Sequence, residues 1–318
     1  MPINKKDHRN RVKLIFNVKS GTNEESPLQL INVIQELQAL DYLTEVYLIE
    51  PNSDLNMIVK DAIFQGVNLF VVCGGDGTVS SVAKAMIGTN ATLGIIPTGT
   101  QNNVALSLKI PTDIPSAIAI LRTGRRVKVD MGIATCGNNS TPFLEICSVG
   151  LFSTLFPVVD EIQHGDITQI GDFLTIMTAS PPSEIHLLLD DNQEIQKLGH
   201  VVLVSNMPYV GQHYIVGADD AYNDGLLDVS FFADLSKIDL VGYVVKGQGT
   251  STLEDARIQH FLVRKVAIET HPDMPIMADG ITIGNGMVEI EVKSHALSVM
   301  TPKTATNKNV ESGEILEK

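Results

Sequence analysis

The stretch that most constrains this chain is the apolar run Leu69-Phe70-Val71-Val72-Cys73, which ends abruptly at Gly74-Gly75-Asp76-Gly77-Thr78. Consecutive apolar residues without alternation are what a parallel strand covered on both faces requires. The glycines at 74, 75 and 77 let the backbone turn sharply and approach another group closely. Beyond them Val79, Val82, Ala83 and Met86 recur at helical spacing, so a helix starts with its open N–H groups and positive dipole end at the turn. That arrangement suits an anion, phosphate above all. A second strand, residues 93–96, runs into Pro97-Thr98-Gly99-Thr100 and Gln101-Asn102-Asn103. Two such exits side by side lie on the carboxyl edge of an open α/β sheet, where ligands bind. Generic fingerprints do not name the turn: it has no P-loop Lys, and Ser80 stands in place of the third small residue of a dinucleotide motif. On spacing alone, a glycine-rich connection without a ligand is the competing reading.

Around this turn the chain alternates strands and helices. Residues 12–17 read as a strand leaving through Asn17-Val18-Lys19-Ser20-Gly21, followed by a helix with Leu28, Leu30, Ile31, Ile34, Leu37 and Leu40 on its apolar stripe. Residues 44–49 read as a strand, and 55–64 as a helix stopped by Gly66. Such alternation predicts a doubly wound parallel sheet over residues 1–125. After Arg126 the period becomes two, and strands are expected at 127–133, 143–147, 185–189, 201–205, 227–232, 258–263, 265–269 and 288–292, with turn signals at Asp190-Asp191-Asn192 and Asp279-Gly280. Residues 126–295 therefore read as a mainly antiparallel β-sandwich with helical insertions near 151–162 and 238–246. The segment 296–318 either docks back on the first domain or, from Lys303 on, is a solvated tail.

Composition narrows the partners. A formal net charge of -14 leaves no basic surface for nucleic acid, although Arg122, Arg125, Arg126 and Lys128 form a local cluster. No apolar run approaches membrane-spanning length, and residues 1–13 lack a signal-peptide core. Cys73, Cys136 and Cys147 form neither a disulfide framework nor a zinc pattern. A cytoplasmic protein, peripheral at most to a membrane, is expected; a homodimer is left open.

The Gly74 to Thr78 turn, the Gly94-Ile95-Ile96-Pro97-Thr98-Gly99-Thr100 exit with Asn102, and the Asn17 to Gly21 exit together resemble the catalytic domain of the diacylglycerol kinase and sphingosine kinase superfamily. Ser205-Asn206-Met207-Pro208-Tyr209-Val210-Gly211 and Asn223-Asp224-Gly225-Leu226-Leu227-Asp228-Val229 resemble motifs of the soluble bacterial lipid kinases, and they separate this branch from NAD kinases and phosphofructokinases. The resemblance implies ATP- and Mg-dependent phosphorylation of a lipid hydroxyl at a membrane surface, in a cleft between the two domains. It assigns nucleotide binding to Asn17, Ser20, Gly21, Gly74, Gly75, Asp76, Gly77, Thr78, Val79, Ser80, Gly99, Thr100 and Asn102. Asp76 and Asp279 are the expected catalytic carboxylates. The resemblance also implies a structural Mg²⁺ held by Asp224 with the backbone carbonyls of Ala221 and Leu226, a hard-oxygen set that suits this ion. Asp76 beside a triphosphate needs a cation or proton between them, so it is read as facing Mg²⁺ or the acceptor hydroxyl.

Several positions depart from the family pattern. Ser80 and Ser81 replace Asn and Glu, Asn103 stands where Asp is common, and Val18 replaces a Pro. The late Asp-Gly-Glu appears as Asp279-Gly280-Ile281, and Ile281 cannot take a proton. Two further readings follow: a catalytically silent member that binds nucleotide or lipid, and a soluble-metabolite kinase related to NAD kinase. The apolar stretch from Val149 to Pro157 reads either as a core helix or as a wall for an acyl chain, and His213 as a surface group or a cleft residue.

Overall fold

The computed structural model describes residues 11–18, 26–155, 181–210, 214–218, 221–233, 235–237, 239–240 and 257–303. Its first half runs β1 (Arg11–Phe16), α1 (Ser26–Ala39), β2 (Leu43–Leu48), α2 (Leu55–Phe64), β3 (Leu69–Gly74), α3 (Asp76–Met86), β4 (Thr92–Pro97), α4 (Asn103–Ser107) and α5 (Ile114–Thr123). The strands pair in parallel in the order β2-β1-β3-β4. β4 is buried along its whole length and β3 along nearly all of it, as continuous apolar runs between two helical layers require. Asp54 and Asp113 cap α2 and α5 by accepting N–H bonds from Met57 and Ser116. The strand order reverses between β1 and β3. The exits at Asn17 and Gly74 therefore flank the crevice of the sheet.

The second half runs β5 (Arg125–Cys136), β6 (Asn139–Phe143), β7 (Ile146–Gly150), β8 (Ser183–Leu189), β9 (Gln193–Gly199), β10 (Val201–Ser205), β11 (Tyr209–Val210), β12 (Tyr214–Ile215), β13 (Leu227–Phe232), β14 (Ile258–Val263), β15 (Lys265–His271), β16 (Pro275–Ala278), β17 (Ile281–Asn285) and β18 (Val288–Thr301). An antiparallel sheet in the order β14-β13-β10-β7-β16-β17 faces β18, β15 and β8. Between them pack Ile185, Leu187, Val266, Ile268 and Ile290 on one side and Val149, Val202, Val204, Phe231 and Ile276 on the other. The alternate residues Val201, Leu203 and Phe232 point the other way, into a cluster with Leu151, Phe152 and Leu155. This sheet is thus apolar on both faces, and those three residues of the 149–157 stretch are core. The remainder of the expected insertions, 156–162 and 241–246, and the tail from 304 lie outside the described residues.

β18 joins the two halves. Ser298 and Val299 lie parallel to β4, beside Thr92 and Leu93, while residues 289–293 and 297–301 pair with β5. One sheet therefore runs through both halves across the change of period at 123–126. Where the β5–β18 register breaks, between Lys293 and Leu297, the fully buried Asp130 accepts N–H bonds from His295 at 2.5 Å and Gly225 at 2.8 Å. That carboxylate ties the 221–226 loop to the junction.

Two expectations need correction. The strand expected at 143–147 is broken: β6 stops at Phe143 and β7 starts at Ile146, because the N–H groups of Leu144, Glu145 and Ile146 all turn to the carboxylate of Asp279. The Asp279-Gly280 turn also lies between two strands absent from the expected set, β16 and β17. Both turn residues have positive φ, 43° and 77°, as a two-residue type I′ hairpin demands.

Candidate active site

The site is assembled from four turns. After β1, Asn17 donates its backbone N–H to the carbonyl of Cys73 and its Nδ2 to Thr78 Oγ1 at 3.0 Å. After β3, the turn packs on the turn after β4 glycine against glycine. A Cβ on Gly99 would lie 2.4 Å from the Cα of Gly75, so no side chain fits there. A methyl group on Gly77, by contrast, would meet nothing within 4 Å, so this residue faces open space. Asn102, in the left-handed region, closes a ring on Gly99: its Oδ1 accepts the Gly99 N–H at 2.9 Å and its Nδ2 donates to the Gly99 carbonyl at 2.7 Å.

The open donors of α3 are fewer than the sequence suggested. The N–H groups of Thr78 and Val79 are both taken by the Gly75 carbonyl, and the Val79 side chain is core. Asp76 and Gly77, the first two residues of α3, hold the positions where helix N–H groups lack an internal partner. Thr100, which follows Gly99 in the turn packed on Gly75, is exposed. Ser20 and Gly21, like His213, lie outside the described residues.

Asp76 bridges the two glycine turns. Its Oδ2 accepts the N–H of Asn103 and its Oδ1 that of Val104, each at 3.0 Å, so it caps α4. Burial raises its carboxyl above the usual range, bonds from Val104, Asn103 and Asn102 oppose that rise, and the charge of Asp279 adds to it.

Asp279 faces this floor from the other half of the chain. Its Oδ2 accepts from Leu144 N–H at 2.7 Å and from the Ser80 hydroxyl, and its Oδ1 from Glu145 and Ile146 at 3.0 and 3.1 Å. Lys84 approaches Oδ2 at 3.4 Å, and the carboxylate is only 5% exposed. Ser80, a departure from the family pattern, thus joins α3 to the β16–β17 hairpin. Ser81 bonds back to the Gly77 carbonyl. Ile281, next to the hairpin turn, is 54% exposed.

Sequence reasoning missed Glu145, Lys84 and Asp130, and it quoted Asn206 without giving it a role. Asn206 is fully buried, donates its Nδ2 to the carbonyls of Leu144 and Asp130, and donates its N–H to the Glu145 carbonyl. Glu145 in turn accepts from Asn103 Nδ2 at 3.3 Å. The available signal was a charged residue inside the apolar run Phe143-Leu144-Glu145-Ile146-Cys147, where an unpaired charge is costly.

The expected metal loop is a 3₁₀ turn at Ala221–Asn223 followed by Asp224, Gly225 and Leu226. Among the described residues no three His, Cys, Asp or Glu side chains converge on a cation position. A site of one carboxylate with backbone carbonyls is still compatible with the loop. Asp224 Oδ1 accepts the Leu226 N–H at 2.8 Å, and burial together with the Asp224 charge pushes the Asp228 carboxyl up to about 7. Asp224, whose charge adds to the rise of Asp228, is the kind of oxygen donor that a hard divalent ion takes.

Comparison with known proteins agrees with this architecture. Residues 11–134 match the diacylglycerol kinase catalytic domain, and residues 172–301 match the YegS C-terminal NAD kinase beta sandwich-like domain. The chain belongs to the diacylglycerol kinase and lipid kinase family. It is 25% identical to the diacylglycerol kinase of Bacillus subtilis over 276 residues, 85% of this chain and 89% of that one. It is 26% identical to a diacylglycerol kinase of Mycobacterium tuberculosis over 257 residues, 79% of this chain and 82% of that one. A crystal structure of a diacylglycerol kinase from Bacillus anthracis superposes with a TM-score of 0.71 at 20% identity, covering 92% of this chain and 97% of the other, which establishes the shared fold.

Proposed function

We propose that the protein transfers the γ-phosphoryl group of ATP, with Mg²⁺, to a hydroxyl of diacylglycerol or a related lipid presented at a membrane surface. The observation that carries this reading is the floor at the sheet's crevice, where Gly75 packs on Gly99, Asn17 holds Thr78, and Asp76 locks both turns to α4. Phosphoryl transfer asks chiefly for positioned phosphates and charge stabilisation, and a floor with this many fixed groups supplies positioning. The N–H groups of Asp76 and Gly77, with the Thr100 hydroxyl, are the donors for phosphate oxygens. Asp76 would face Mg²⁺ bound with the nucleotide, and the ion would supply charge neutralisation. A second, structural ion would be held by Asp224 and the carbonyls of Ala221 and Leu226.

Asp279 is assigned a positioning role. Its two oxygens are already engaged by the N–H groups of Leu144, Glu145 and Ile146 and by the Ser80 hydroxyl, with Lys84 beside Oδ2, so what it does is hold those groups in place. A lipid acceptor, rather than a soluble metabolite, is supported by the names of the relatives, diacylglycerol kinases and a YegS-like lipid kinase. One observation favours a second reading, nucleotide or lipid binding without turnover: the exposed Ile281 offers no proton-accepting atom at the hairpin exit. Incubation with labelled ATP, Mg²⁺ and a panel of diacylglycerol, monoacylglycerol, sphingoid base and NAD separates the readings. Labelled phospholipid is expected. Binding of ATP with no labelled product selects the silent reading, and labelled NADP selects a metabolite kinase.

A further inference from the structure

Every backbone polar group of the break between β6 and β7 that faces the junction is held by a side chain or by the backbone of Asn206. Asp279 accepts the N–H groups of residues 144, 145 and 146, while Asn206 serves the carbonyls of residues 144 and 145. Leu144 and Ile146 are buried, so the polar groups of this connection need partners inside the protein, and these two residues supply them. What this clamp fixes is the direction of one half-buried side chain, Glu145. Its carboxylate accepts from the Asn103 amide, and the Asn103 N–H in turn bonds Asp76, so Glu145 stands one residue away from the phosphate floor. The neutral amide at 103 is the residue type that tolerates a carboxylate there, since a second acid would repel it.

We infer that Glu145 is the catalytic residue that takes the proton of the acceptor hydroxyl. This rests on the kinase reading above. The acceptor oxygen forms the new bond to the γ-phosphorus as the bond from that phosphorus to the bridging oxygen breaks. The nucleoside diphosphate leaves with the bonding pair, and the hydroxyl proton passes to Glu145 and then to water. A lipid alcohol is un-ionised at neutral pH, so a carboxylate held at this place has a task that neither Asp279, tied to the turn, nor Ile281 can perform.

The test uses the full chain with ATP, Mg²⁺ and diacylglycerol in mixed micelles, and reads kcat against pH, nucleotide affinity and melting temperature for the wild type, Glu145→Gln and Asn103→Asp. Glu145→Gln keeps an oxygen for the Asn103 amide; it is expected to lower kcat by ~10²–10⁴-fold, abolish the acid limb of the pH profile, and leave nucleotide affinity within about twofold. Asn103→Asp is expected to shift that limb to higher pH, because the added charge makes Glu145 hold its proton more tightly. Should Glu145→Gln fail to fold, Glu145→Asp is read instead, with kcat lowered and the acid limb retained. An unchanged kcat and acid limb in the Glu145 variant overturns the inference while leaving the kinase reading intact. No transfer by the wild type overturns both.

Discussion

Asp76 and Asp279 sit on glycine-containing turns and face each other at one junction, yet the structure uses them differently. The bonds of Asp76 stay within the α/β half, joining the turn after β3 to the helix after β4. Those of Asp279 cross between halves: it closes the β6–β7 break on its own side and takes Ser80 and Lys84 from α3 on the other. The first carboxylate shapes the floor at the sheet's crevice, and the second ties the two halves of the chain together. A negative residue next to a glycine therefore carries no fixed meaning. Its role follows from whose N–H groups it accepts.

The contrast is sharpest in substitution. Asp279→Ala removes the acceptor for three buried N–H groups and leaves Lys84 without its partner, so a loss of ~3–5 kcal/mol in urea unfolding is expected. Asp76→Asn should do the reverse: turnover falls at least ~100-fold, while stability falls by only ~1–3 kcal/mol. Equal losses of stability in the two variants would break the distinction. Ser80→Ala removes one cross-junction bond and is expected to cost ~1 kcal/mol, measured in the same denaturation series.

The smallest effect is a pH dependence in the loop that runs from Ala221 into β13. Burial, and then the charge of Asp224, pushes the Asp228 carboxyl up to about 7. The folded chain keeps that proton above the ordinary carboxylate range of about 4, so the group's contribution to stability is full below that range and is lost as pH rises through about 7. Melting curves in chelator across that window should slope downward for the wild type and flatten in Asp228→Asn.

The α/β half was legible because its signals are local. Apolar runs marked β1, β3 and β4, and the Gly74 to Thr78 turn identified the floor. The junction was not, because it depends on contacts between residues far apart in sequence: Ser80 with Asp279, Asn103 with Glu145, Asn206 with Leu144. The run from Phe143 to Cys147 looked like one strand, and nothing local in it reveals that a carboxylate over a hundred residues later takes its N–H groups. Ser80, read as a lost family residue, is instead a cross-junction donor.

Transfer of labelled γ-phosphate from ATP to diacylglycerol, compared between the wild type and Asp76→Asn at matched folding, tests the proposed floor most directly. Labelled phospholipid from the wild type and none above background from the variant is the predicted result. Equal labelling by both would remove Asp76, and the floor built around it, from the reaction.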